Sequence, residues 1–135
     1  MIQGWRAIAV LSALAVLSCS DEVTGPSDLQ GGPWKLESME VAGAARFVPE
    51  DPNRFTVEFH SDGRIGVVAD CNQCGGGYTA SGGILNVPAL ACTLIACPGP
   101  EGGQFAGLIE GMSSIERDGD ELLIESSEGR LTLRQ

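Results

Sequence analysis

Phe55-Thr-Val-Glu-Phe-His-Ser-Asp-Gly-Arg-Ile-Gly-Val-Val-Ala69 is the stretch on which the fold turns. Phe55, Val57 and Phe59 alternate with Thr56, Glu58 and His60, the two-residue period of a strand with one wet face. Ser61-Asp62-Gly63 reads as a turn, its glycine supplying the positive φ that tight hairpins need. Arg64 to Ala69 is then the return strand, and the whole is a β-hairpin.

The same signals continue outward on both sides. Trp34 to Val41 alternates apolar and polar residues and predicts a strand, followed by a loop over Ala42 to Asn53 that holds Gly43, Pro49 and Pro52. Beyond the hairpin, Asp70 to Gly77 reads as a cysteine- and glycine-rich turn. Tyr78 to Ala80 and Ile84 to Val87 read as short strands about Ser81-Gly82-Gly83, and Leu90 to Ala96 as an apolar crossing toward Cys97. Phe105, Leu108, Ile109 and Met112 fall at helical spacing and predict one amphipathic helix. Its several glycines make it depend on packing against the sheet. Ser114 to Arg117, Glu121 to Ser126 and Arg130 to Leu133 complete the set as strands. Strands, one helix, then strands, joined by hairpin-length turns, imply an α+β chain that is mainly β. The expected fold is a curved antiparallel sheet, or open barrel, with one packed helix.

The N-terminal end has a different character. A cationic start (Arg6), an apolar run from Ala7 to Leu17 and a small residue before Cys19 have the layout of a secretory signal. The run falls short of the roughly 20 apolar residues that span a bilayer. Val16-Leu17-Ser18-Cys19 resembles the bacterial lipobox, which implies cleavage before Cys19 and lipidation of that cysteine. Residues 1–18 are thus expected to be a lipoprotein signal peptide, residues 19–33 the lipidated Cys19 with a flexible tether, and residues 34–135 the folded domain. Ser20 to Pro33 is rich in Ser, Asp, Gly and Pro and has no apolar periodicity, which is the reason for reading a tether.

The formal charge of −10 becomes −11 once Arg6, the sole charge of residues 1–18, is removed with them. The remaining cations are scattered, so neither nucleic-acid binding nor attraction to anionic lipid fits this chain. Attachment to a membrane would have to come from acyl chains on Cys19.

Setting Cys19 aside leaves Cys71, Cys74, Cys92 and Cys97, an even set that in an exported small domain reads as two disulfides. Four cysteines allow three connectivities, and sequence alone does not choose among them. Antiparallel pairing of the two cysteine segments would give the nested arrangement, Cys71–Cys97 around Cys74–Cys92. A four-thiolate zinc site is compatible with the spacing but not with an oxidising compartment. A redox-active Cys71-Asn72-Gln73-Cys74 would need a helix start behind it, and Gly75-Gly76-Gly77 follows instead.

Taken in order, Trp34-x-Leu36, Phe55-x-Val57-x-Phe59 with Asp62-Gly63, Cys71-Asn72, Gly77-Tyr78, Thr93-x-x-Ala96-Cys97, Phe105 with Leu108, and Gly119-x-x-Leu122-x-Ile124 resemble the META domain, the HslJ-like family. The resemblance spans Trp34 to Leu133. It implies an antiparallel barrel-like fold with one helix, an exported protein or lipoprotein, and no known catalytic chemistry. The common pattern of the family carries cysteines at the positions of Cys71 and Cys97, with Cys74 and Cys92 as an additional pair, which fits the nested pairing. Asn72 then reads as a structural residue, since asparagine tolerates left-handed backbone and caps turns.

Catalytic readings find little footing. His60, Ser61 and Asp62 are neighbours at a strand end and point apart, so they cannot line up as a triad. Asp118-Gly119-Asp120 reads as a tight turn rather than a calcium loop, and the glycine runs lack the trailing Lys-Ser/Thr of a phosphate loop. The expected protein is a non-enzymatic lipoprotein without cofactor, held by Cys19 at the periplasmic side of an outer membrane. It would bind another envelope protein in stress tolerance or assembly. Two other roles compete. One is a carrier whose barrel holds an apolar ligand against Trp34, Phe55, Phe59 and Phe105. The other is an exported enzyme inhibitor presenting Gly75–Gly77 or Pro98–Gly103.

Overall fold

The computed structural model describes Leu14 and residues 21–135; the expected signal peptide and Cys19 lie outside the described residues. The elements in chain order are β1 (Asp21–Glu22), a 3-10 turn (Pro26–Leu29), β2 (Trp34–Val41), a second 3-10 turn (Pro52–Arg54), β3 (Phe55–Phe59) and β4 (Arg64–Ala69). They continue with β5 (Asn72–Gly77), β6 (Thr79–Ser81), β7 (Ile84–Val87), β8 (Leu90–Cys92), α1 (Glu101–Ile109), β9 (Gly111–Asp118), β10 (Glu121–Ser126) and β11 (Gly129–Arg134). No helix among the described residues is long and apolar enough to cross a membrane.

All pairings are antiparallel, in the order β6-β7-β9-β10-β11-β2-β3-β4-β5-β8, with β1 beside the far half of β9. The sheet curls into a half-barrel. The founding hairpin pairs Phe55 with Ala69 and Phe59 with Ile65, as its alternation requires. Its inward set, Phe55, Val57, Phe59, Ile65, Val67 and Ala69, is buried with Leu36, Ile115, Leu122, Ile124, Leu131 and Leu133 from the other strands.

Antiparallel pairing sorts the connections to two ends. At one lie the β3–β4, β6–β7 and β9–β10 turns and the start of β1. At the other lie the β4–β5 and β10–β11 turns and the exits of β2 and β8. We call these the N-terminal end and the loop end. The helix α1 covers the loop end. It buries Phe105, Leu108 and Ile109, and Gly102 sits so close that a Cβ there would come within 2.6 Å of the Ala69 carbonyl oxygen.

Four expectations are corrected. Asn72 to Gly77 is a strand rather than a turn: β4 supplies partners along its whole length and β8 along half of it, so the glycines are held by neighbouring backbones rather than by their own preference. Leu90 to Ala96 is a strand only as far as Cys92. Met112 leaves the predicted helical stripe. The helix ends at Ile109, Gly111 turns the chain at φ +95°, and Met112 stands on β9 at 69% exposure.

The fourth concerns the tether. Residues 21–33 pack onto the domain. β1 pairs Asp21 with Arg117 and Glu22 with Glu116, and Val23 and Leu29 are fully buried. Two isolated apolar residues among Gly, Pro and Ser have no periodicity, but each fills a place at the open N-terminal end of the barrel. Leu29 also accepts a hydrogen bond from the Trp34 indole at 2.8 Å through its carbonyl. Arg117 lies over the Trp34 ring, 5.1 Å from its centre, and donates to the carbonyls of Asp28 and Gly119.

Candidate functional site

The four cysteines of the domain meet at the loop end in two pairs at bonding distance, Cys71 with Cys97 and Cys74 with Cys92. Cys74 and Cys92 face each other directly across β5 and β8. The Thr93 amide donates to the Gln73 carbonyl at 3.0 Å, which makes the neighbouring 74/92 position the non-hydrogen-bonded one, where side chains approach most closely. Cys71 and Cys97 lie on the segments that flank this position, with Cα atoms 5.7 Å apart. The sulfurs pair off rather than converge on one centre.

Between Cys92 and Cys97 the chain leaves the sheet, and Asn72 holds it. The Asn72 Oδ1 accepts from the Ile95 amide and the Thr93 hydroxyl, both at 2.8 Å, while its Nδ2 donates to the Ile95 carbonyl at 2.9 Å. The Thr93 Oγ1 in turn accepts from the Gln73 amide at 3.0 Å. One asparagine thus serves as backbone partner for the whole excursion, the structural role its type suggested. The clamped loop turns its apolar side chains outward: Leu94 is 97% exposed and Ile95 59%. A short loop fixed by two crosslinks and an amide clamp has little conformational entropy left to lose on binding. The signal for Leu94 and Ile95 was present in the apolar run from Leu90 to Ala96, which reads only as a crossing toward Cys97.

Next to the loop, Asp70 takes a left-handed conformation (φ +58°) at the β4–β5 turn. Its carboxylate meets Arg54 at 2.6 Å, and its amide donates to the Arg54 carbonyl at 2.7 Å. Pro98 and Gly99 follow Cys97 and line a groove together with Phe47, Val48, Glu50, Asp51 and Arg54.

The remaining candidate residues are dispersed. Asp62 accepts from the Arg64 amide within its turn, and the His60 carbonyl accepts from the Tyr78 hydroxyl at 2.9 Å, so Ser61, His60 and Asp62 form no hydrogen-bonded line. Burial, with Asp62 nearby, pushes the Tyr78 phenol above its ordinary range. Asp120, in the β9–β10 turn, pairs with Arg134 of β11 at 2.9 Å. Trp34, Phe55, Phe59 and Phe105 are core residues, with Phe55 edge-on to Phe105 at 5.7 Å and Phe59 edge-on to Tyr78 at 5.1 Å. Gly75 to Gly77 lies in β5 and Gly102 and Gly103 in α1, so neither proposed inhibitor loop is a free loop as drawn from sequence.

A family model for the META domain matches residues 27–135. The chain belongs to the META domain family. META domains are not a known enzyme family. The fold is similar to that of a protein solved by NMR, with a TM-score of 0.63 and 22% identity over 81% of this chain and 92% of that one. It is also similar to a protein from Burkholderia xenovorans solved by NMR, with a TM-score of 0.62 and 16% identity over 91% of this chain and 96% of the other. At these identities the likeness is one of fold. A comparison with curated proteins finds no match. The META match begins at Ser27, inside the segment read as tether, in keeping with the packing of Leu29.

Proposed function

We propose that this META protein is a non-enzymatic lipoprotein, anchored through Cys19 at the periplasmic side of the outer membrane, that binds another envelope protein in stress tolerance or assembly. The observation that carries the reading is the Thr93–Cys97 loop: two exposed apolar side chains on a segment fixed by crosslinks and by Asn72. Exposed apolar groups on a rigid support are the usual anchors of a protein interface. The position of β1 supports the same reading. Only Ser20 separates Cys19 from β1, which starts at the end of the barrel opposite the loop. A lipid on Cys19 would therefore hold the N-terminal end at the bilayer and turn Leu94 and Ile95 toward the aqueous compartment.

A photo-crosslinking residue placed at position 94 of the full-length chain in its own host tests this. The expected result is one discrete protein adduct, lost when Ile95 is replaced by Asp. Cys19→Ala should abolish labelling by a fatty-acid probe and release the protein from membranes. No adduct at position 94 would overturn the binding reading, and undiminished membrane attachment of Cys19→Ala would overturn the anchor.

A further inference from the structure

The groove beside the loop has a chemistry of its own. It encloses about 420 Å³. Its apolar lining is Phe47 and Phe55, edge-on at 5.4 Å, with Val48, 61% exposed, Pro98 and Gly99. Its charged lining is four carboxylates, Glu50, Asp51, Asp70 and Glu101, and one guanidinium, Arg54. Two of the carboxylates are engaged in holding the fold. Asp51 accepts from the Asn53 amide at 3.0 Å and from its side-chain nitrogen at 3.1 Å, and Asp70 holds Arg54. Glu50 and Glu101 make no ion pair among the described residues.

We propose that this groove receives an extended segment of the partner protein in which one bulky apolar side chain is flanked by Lys or Arg. The proposal rests on the reading that the domain binds a protein, and it specifies the chemistry of that protein's contact. Charge complementarity selects the occupant. An apolar lining with four carboxylates against one guanidinium, itself paired with Asp70, favours an apolar side chain with cations on either side and disfavours acidic segments, since like charges brought together across an interface are repelled. Anionic lipid headgroups are disfavoured for the same reason. Location selects it as well. Pro98, in the lining of the groove, directly follows Cys97, where the loop that carries Leu94 and Ile95 ends.

The test uses the oxidised full-length chain and three capped peptides. One has Leu-Phe between pairs of lysines, the second has Ser-Ser in place of Leu-Phe, and the third has glutamates in place of the lysines. The first should bind, and binding should weaken about tenfold as ionic strength rises to roughly 0.3 M, where the screening length falls below about 8 Å. The second and third should bind at least tenfold more weakly. Reversing the rim with Glu50→Lys and Glu101→Lys should cost the first peptide at least tenfold and admit the third. Reversing Glu116 and Asp118, toward the opposite end, should change nothing. Equal binding of the serine peptide, or indifference to the rim reversal, would overturn the groove as the site. An adduct at position 94 with no binding of the lysine peptide would remove the groove and keep protein binding. Absence of the adduct would remove the reading beneath both.

Discussion

The two ends of the half-barrel are closed by different physics. At the N-terminal end, residues 23–34 fold inward and the closure is apolar: Val23, Leu29 and Trp34 are fully buried, and Arg117 lies over the indole. At the loop end, α1 covers the core, and the Thr93–Cys97 loop that precedes it is held by crosslinks and an amide, with its apolar groups facing out. Burial makes the first end stable. Covalent and hydrogen-bonded restraint makes the second rigid without burying it, and so leaves it free to contact something else.

The sharpest way to break this contrast is to empty the first end. Trp34→Ala should destabilise the protein by about 3–5 kcal/mol, the usual cost of deleting a buried aromatic, whereas Leu94→Ser at the other end should stay within about ±0.5 kcal/mol. Chemical denaturation of both variants checks the pair. Leu29→Ala should cost about 2–5 kcal/mol; no loss there would return residues 23–33 to the status of a free tether. Replacing Cys71 and Cys97 together by Ser should cost about 3 kcal/mol, as expected for a crosslink closing a loop of this length. Amide exchange should then accelerate over Thr93–Cys97 and remain slow around Trp34. Asn72→Ala should cost about 1–3 kcal/mol, because it strips partners from Ile95 and Thr93, and should loosen the loop while leaving both crosslinks formed.

The smallest effect belongs to Asp28. Hydrogen bonds from the Thr24 amide and hydroxyl and the Gly25 amide, with Arg117 nearby, hold its carboxyl below the ordinary value. A depressed native pKa contributes stability above the unfolded-state value and loses it as pH falls through the native one. Asp28→Asn should therefore lower stability slightly at neutral pH and flatten the acid side of the profile, the two proteins converging as pH falls below about 4. A carboxyl that titrates at its ordinary value by NMR would contradict this.

How much of this was legible depended on which force held each part. The hairpin of Phe55 to Ala69, the strand of Trp34 to Val41 and the closing strands carry period-two alternation between glycine turns, and they were read from residues alone. β5 was missed because Asn-Gln-Cys-Gly-Gly-Gly has no intrinsic strand preference; its neighbours impose the conformation. The N-terminal closure was missed because Val23 and Leu29 stand alone, and only the finished barrel creates the places they fill. Met112 kept helical spacing with residues from which Gly111 had already separated it. At the candidate site, cysteine count and the role of Asn72 were readable. The outward facing of Leu94 and Ile95 was not, since an apolar run does not declare which side of a sheet edge it will take.

The nesting of the two cysteine pairs has one last consequence. Residues 75–91 include the exposed Ser81–Gly82 turn at the opposite end of the barrel, and they lie within both covalent rings. A protease that nicks the molecule anywhere in that interval divides the polypeptide without releasing a fragment. The severed halves stay joined twice over, and the Leu94 tip keeps its attachment to the rest of the barrel.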